Sequence, residues 1–217
     1  GPLGKVRLRR LATDNQIDGR GRKRTGMNIS EKPSDQEAYE LVLDFVKDNL
    51  EFLDPRHYHL VAVWSLATHR VHQWLGVPYL HFWAPTESGK SRALDVLRLL
   101  CFNPIPTFAV RPANIYRLIE KNSVTLLIDE TDMESKEFEN LMLKILNSGY
   151  TRGGYIYRTE KDEDGEFYER EFSTFGFKAI AGLDELAQTL KSRCIQVSMV
   201  RLSWIKRRDK NGKIEES

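Results

Sequence analysis

The 217-residue sequence predicts a three-layer α/β fold: a mainly parallel sheet covered by helices on both faces, preceded by helices and carrying one inserted β-hairpin. Three observations predict it. Short apolar runs bounded by turn residues alternate with stretches of helical period over residues 77–203, and parallel strands require such crossover helices. The runs are apolar on successive residues, as in strands buried on both faces. One segment, 154–173, breaks the alternation with two strand-like runs around a charged turn.

Taken in order, Gly1-Pro2-Leu3-Gly4 looks like the scar of a protease-cleaved tag. Residues 1–33 lack apolar periodicity and read as a flexible basic arm. Ser34 or Asp35 caps a helix to about Leu50. Asp54 and Pro55 start a second helix, expected to reach Trp74 and stop at Gly76, so that 34–76 form a helical segment. Strands are expected over 79–83, 108–110, 124–128, 177–181 and 194–200, with helices over 90–100, 113–120, 136–147 and 183–190. Hairpin arms over 155–158 and 166–172 flank Lys161-Asp162-Glu163-Asp164-Gly165. Residues 204–217 read as a basic polar tail.

Composition bounds the class. Hydrophobic residues make up 41% and charged residues 29%. No apolar run approaches the roughly 18 residues of a membrane span, and no secretory signal is visible, so a soluble cytoplasmic protein is expected. Cys101 and Cys194 lie apart in apolar contexts, as small hydrophobes in a reducing compartment would. The net charge of +2 is uneven: residues 1–24 hold eight basic and two acidic residues, which leaves the remainder at −4. A basic arm on an acidic body suits nucleic acid; a solvated linker is the alternative.

Ala84-Pro85-Thr86-Glu87-Ser88-Gly89-Lys90-Ser91 has the small-x-x-x-x-Gly-Lys-Ser pattern of a phosphate-binding P-loop, with Arg92 following. Backbone N–H groups wrap a polyphosphate, and Gly89 permits close approach. Lys90 reaches the β- and γ-phosphates, Ser91 binds magnesium, and the helix that follows aims its positive end at the anion. The ligands implied are ATP and Mg2+. About 40 residues later, by the spacing such ATPases show, an apolar run ends in Asp129 and Glu130. Asp129 suits magnesium and Glu130 suits polarising a water, which points to hydrolysis; a solvated acidic turn is the alternative. Arg193 follows a helix and directly precedes an apolar strand. In ring-forming ATPases an arginine so placed reaches the neighbouring subunit's γ-phosphate; a surface arginine with a local carboxylate is the alternative. On the hairpin, Arg158, Lys161 and Arg170 among aromatics suit single-stranded DNA, although Asp162, Glu163 and Asp164 crowd the tip. His57, His59, His69, His72 and His81 form no metal-spaced set, and Trp64, Trp74 and Trp83 read as core.

With these residues in view, the segment from about His57 to Arg201 resembles the AAA+ P-loop ATPases, and more narrowly a domain of phage, plasmid and integrated-element proteins found beside primase modules. Pro78-Tyr79-Leu80, Glu87 to Ser91 and Leu126-Leu127-Ile128-Asp129-Glu130-Thr131-Asp132 carry the likeness. Leu146-Asn147-Ser148-Gly149, Lys178-Ala179-Ile180-Ala181-Gly182 and Ser192-Arg193 complete it. The resemblance implies a homo-oligomer, a hexameric ring, acting on DNA as a replicative helicase, with a hairpin similar to that of superfamily 3 and minichromosome-maintenance helicases. A switch or loader that binds ATP without translocating is the competing reading. Two departures stand out: the fourth core strand ends in Ala181-Gly182 rather than a polar sensor, and little chain follows Val200 to form a helical lid.

Overall fold

The computed structural model describes residues 33–83, 89–129, 135–182 and 188–199. Two helices come first, α1 (Asp35–Asn49) and α2 (Arg56–Thr68). A capping box starts α1: the Glu37 N–H donates to the Ser34 hydroxyl at 3.3 Å and the Ser34 N–H donates to the Glu37 carboxylate at 2.9 Å. α2 stops earlier than its periodicity suggests, and a 3₁₀ turn (Val71–Gln73) carries the chain onward. The Thr68 hydroxyl explains the stop: it donates to Ser65 O at 2.6 Å and accepts from the Phe102 N–H at 2.9 Å, so the helix end is turned onto the next layer.

The core then runs β1 (Tyr79–Trp83), α3 (Lys90–Leu100), β2 (Pro104–Pro106), a 3₁₀ turn (Thr107–Ala109), α4 (Pro112–Asn122), β3 (Thr125–Asp129) and α5 (Lys136–Ser148). The hairpin follows as β4 (Tyr155–Lys161) and β5 (Phe167–Ser173), and β6 (Lys178–Ala181), α6 (Gln188–Lys191) and β7 (Cys194–Ser198) close the described core. The strand expected over 108–110 lies earlier, at Pro104–Pro106, and 107–109 is a 3₁₀ turn. Two prolines argue against a strand, but β2 is the sheet edge, where a missing ladder donor is tolerated. The first part of the helix expected over 183–190 lies outside the described residues, as do residues 1–32 and the tail 204–217.

The main sheet has the order β2-β3-β6-β1-β7, with every pairing parallel. This is the three-layer α/β class of P-loop NTPases that the sequence predicts. Side chains alternate across the pleat. Leu80, Phe82, Leu127, Ala179 and Val197 pack toward α1, α2 and α3. Tyr79, Leu126, Ile128 and Ile180 pack toward α4, α5 and the hairpin root. Burial of one such side chain, Phe82 or Ile128, contributes about 1.5–3 kcal/mol. Trp64 joins the core and donates its Nε1 to Pro78 O at 2.8 Å, but Trp74 and Trp83 are 43% and 45% exposed and are not core residues. Cys101 is buried, and burial pushes its thiol up to about 12. Cys194 is half-buried. Among the described residues no helix is long and apolar enough to cross a membrane.

The hairpin pairs in register from Tyr155 opposite Ser173 to Lys161 opposite Phe167. Its two faces differ. Ile156, Arg158 and Glu160 share one face with Phe172, Arg170 and Tyr168, and on it Ile156 and Phe172 are buried. The opposite face presents Tyr155, Tyr157, Lys161 and Phe167, the aromatics 47%, 61% and 70% exposed.

Candidate functional site

β6 lies between β1 and β3, so the loop after β1 and the loop after β3 open at the same end of the sheet across one intervening strand. Phe82, Ala181 and Asp129 stand at one level: Phe82 is in register with Ala181, and Ala181 with Asp129. Loops diverging outside the carboxyl ends of parallel strands form the crevice in which open α/β sheets hold ligands.

Residues Ala84, Pro85, Thr86, Glu87 and Ser88, and the acid Glu130, lie outside the described residues. What borders them is placed. Gly89 has φ of 84°, in the left-handed region that a side chain resists. A Cβ there would meet only Met199 Cε at 3.8 Å, so the dihedral and not space demands glycine. α3 starts at Lys90, and its first-turn amides and dipole face the crevice. Ser91 Oγ donates to Asp129 Oδ2 at 2.7 Å. Two residues 38 apart in sequence, one in the first turn of α3 and one at the end of β3, thus meet side by side at the mouth of the sheet.

Two residues that sequence reasoning missed support this end. Thr107, on the 3₁₀ turn after β2, is buried; its hydroxyl donates to Leu127 O and accepts from the Asp129 N–H, each at 3.3 Å. It fixes the backbone that presents the Asp129 carboxylate. His81 is also buried, and its Nε2 lies 2.7 Å from Gly182 O, fixing the end of β6 where the polar sensor is missing. A lone threonine and a histidine inside an apolar run carry no sequence signal of this kind.

The remaining predicted residues lie elsewhere. Arg92 donates Nε to Asn49 O at 2.8 Å, at the C-terminal end of α1. Arg193 stands at the opposite end of the strands from Ser91: its carbonyl accepts from the Tyr79 N–H at 3.0 Å, at the start of β1. The five-residue strand separates it from the crevice by about 13 Å. Its Nη1 donates to Asn147 O at 2.6 Å and to Asn147 Oδ1 at 2.9 Å. On the hairpin, Arg158 lies 5.3 Å over the Tyr116 ring of α4. Arg170 pairs with Glu120 at 3.1 Å and Glu160 at 3.5 Å. Glu160 also pairs with Arg117, and these arginines hold its carboxyl below the usual range. Lys161, on the outward face, sits 4.7 Å over Phe167.

No protein-family model matches the chain, and no curated protein matches it. Among the solved structures that resemble it is one of JCV helicase bound to a substituted phenoxyphenyl acetamide, at 15% identity and a TM-score of 0.41. The alignment covers 92% of this chain and 53% of that one, so the present chain spans about half of its neighbour. The parallel strand order and the crevice geometry, and not this likeness, define the fold.

Proposed function

We propose that this chain is an ATP-hydrolysing motor domain that assembles into a hexameric ring and moves along DNA, in the manner of the helicases that accompany primase modules in mobile elements. The contact between Ser91 and Asp129 carries the reading. Two hard oxygen ligands 2.7 Å apart fit adjacent corners of a magnesium octahedron, where ligands about 2.1 Å from the ion stand about 3 Å from each other. Bound there, Mg2+ would neutralise charge on the phosphates. Lys90, at the helix start, binds the β- and γ-phosphates, and Gly89 with Ala84 to Ser88 wraps them. Glu130, next after Asp129, orients the attacking water.

Arg193 acts on another chain's nucleotide. It lies a strand's length from its own crevice, a placement that serves a head-to-tail neighbour and not its own site. Interfaces of that kind close into rings. For DNA, the outward hairpin face supplies Lys161 with Phe167 and Tyr157 for stacking, while Arg158 and Arg170 brace the hairpin on α4 and lie behind that face. A second reading, an ATP-dependent switch or loader, draws support from the end of β6, where Ala181 and the following Gly182 offer, among the described residues, no polar side chain to sense a γ-phosphate.

The test is ATP hydrolysis with and without single-stranded DNA. Lys90→Ala is expected to lose at least about 10²-fold in kcat. Arg193→Ala and Glu130→Gln are each expected to be inactive alone and to recover activity when mixed, because a mixed interface joins an intact crevice to an intact arginine. Hydrolysis that ignores DNA, with no recovery on mixing, would favour the switch.

A further inference from the structure

A helix leaves its last carbonyls without partners inside the helix. At the C-terminal end of α5, three strands supply them. The Tyr79 hydroxyl of β1 donates to Leu146 O at 3.0 Å, Arg193 Nη1 at the start of β7 donates to Asn147 O at 2.6 Å, and Lys178 Nζ of β6 donates to Gly149 O at 3.3 Å. Two of the three donors are cations, which the negative helix end favours. The Leu146-Asn147-Ser148-Gly149 segment is therefore a docking point for the base of the sheet.

Asn147 does more than its neighbours. Its Oδ1 accepts from the same Arg193 Nη1 that bonds its own carbonyl. Two acceptors on one residue fix the plane of the guanidinium, which a single bond would leave free to turn. Nε and Nη2 make no hydrogen bond among the described residues. Asn147 also borders an open groove of about 520 Å³ between the end of α5 and β4, beside Lys144, Tyr155 and Tyr157, so this corner is accessible to another chain. The far end of the same helix begins at Ser135, whose hydroxyl accepts from the Phe138 N–H at 3.2 Å, a few residues after Asp129. A helix of 13 residues spans about 20 Å.

We infer that Asn147 is the positioning residue for Arg193: it holds the guanidinium by Nη1 and leaves Nε and Nη2 for the γ-phosphate of a nucleotide bound by an adjacent copy of the chain. This rests on the reading that Arg193 acts in trans. Asn147 itself touches no substrate.

The experiment compares Asn147→Ala, Asn147→Asp and Arg193→Ala in steady-state ATP hydrolysis, with binding of a fluorescent ATP analogue and the melting temperature measured on the same preparations. Asn147→Ala is expected to lower kcat about tenfold, because a misaimed group costs rate rather than binding. KM, analogue binding and melting temperature stay near wild type. Asn147→Asp keeps an acceptor at the same place and recovers most of kcat. If Arg193→Ala abolishes hydrolysis while Asn147→Ala keeps the wild-type kcat, the positioning role falls and the trans reading survives. If Arg193→Ala itself keeps wild-type hydrolysis, the trans reading falls and takes this role with it. A loss in Asn147→Ala that tracks a lower melting temperature, without rescue by Asn147→Asp, makes Asn147 a helix-end residue only and also overturns the inference.

Discussion

At the base of the sheet, Tyr79 and Lys178 commit their polar atoms to buried backbone carbonyls, one of each at the same helix end; at its mouth, Ser91 and Asp129 bond to each other. The two arrangements differ in what leaving them costs. An exposed bond between side chains is worth about 1 kcal/mol net and can be traded for a ligand. A buried carbonyl that loses its donor carries the whole desolvation penalty. The lesson is that this fold keeps its exchangeable bonds at the open end of the crevice and its obligatory ones where strands and helix must not move.

The comparison breaks most sharply at the mouth. Asp129→Asn is expected to lower ATP hydrolysis by about 10²-fold or more while leaving the melting temperature within a degree or so. A large stability loss in this variant would mean that the mouth is held together as tightly as the base. The next largest effect belongs to Lys178. It is fully buried, with Nζ donating to Thr174 O at 2.8 Å, Gly176 O at 3.0 Å and Gly149 O at 3.3 Å, over the Tyr79 ring. Lys178→Met leaves three carbonyls behind and is expected to cost roughly 2–4 kcal/mol in urea unfolding.

Lys178 also sharpens the comparison through pH. Burial pulls its ammonium down from 10.5 to about 7, although three carbonyls match the three N–H bonds of the charged form. Where burial dominates, the unfolded chain binds a proton between pH 7 and 10.5 that the folded chain does not. Stability then rises with pH across that window and is lowest below it. The urea midpoint of wild type, minus that of Lys178→Met, should increase from pH 7 to 9.5; a flat difference would show that the carbonyl cage keeps the proton. The smallest effect is Tyr79→Phe, which deletes only the bond to Leu146 O and should cost about 1 kcal/mol by the same measurement.

The Ser91–Asp129 contact at the mouth was legible in the sequence because the proposed phosphate chemistry asks for residue types at fixed spacing. Lys90 and Ser91 follow a glycine that must take positive φ, and Asp129 must end an apolar strand. The base was not legible, because its contacts are long-range and its residues have ordinary uses elsewhere. Lys178 reads as a charged residue at a strand start, and only the folded chain surrounds it with carbonyls. Arg158 and Arg170 read as nucleic-acid contacts because strand alternation gives two faces but does not say which one meets α4. β2 was displaced by a few residues because prolines at 104 and 106 mask an edge strand. Trp74 and Trp83 read as core because hydropathy does not see that each sits where an element ends.

The strand order also sets a timetable for folding. β1 pairs with β6 on one side and β7 on the other, and both lie roughly a hundred residues downstream, so the first strand made finds its partners last. At a ribosome's pace of about 5–20 residues per second, Leu80 and Phe82 leave the exit tunnel several seconds before either neighbour exists. Until then α1, α2 and α3, all made before β6, are the helices available to cover them. The crevice, which needs β6 in place between β1 and β3, is completed only once residue 181 has been made.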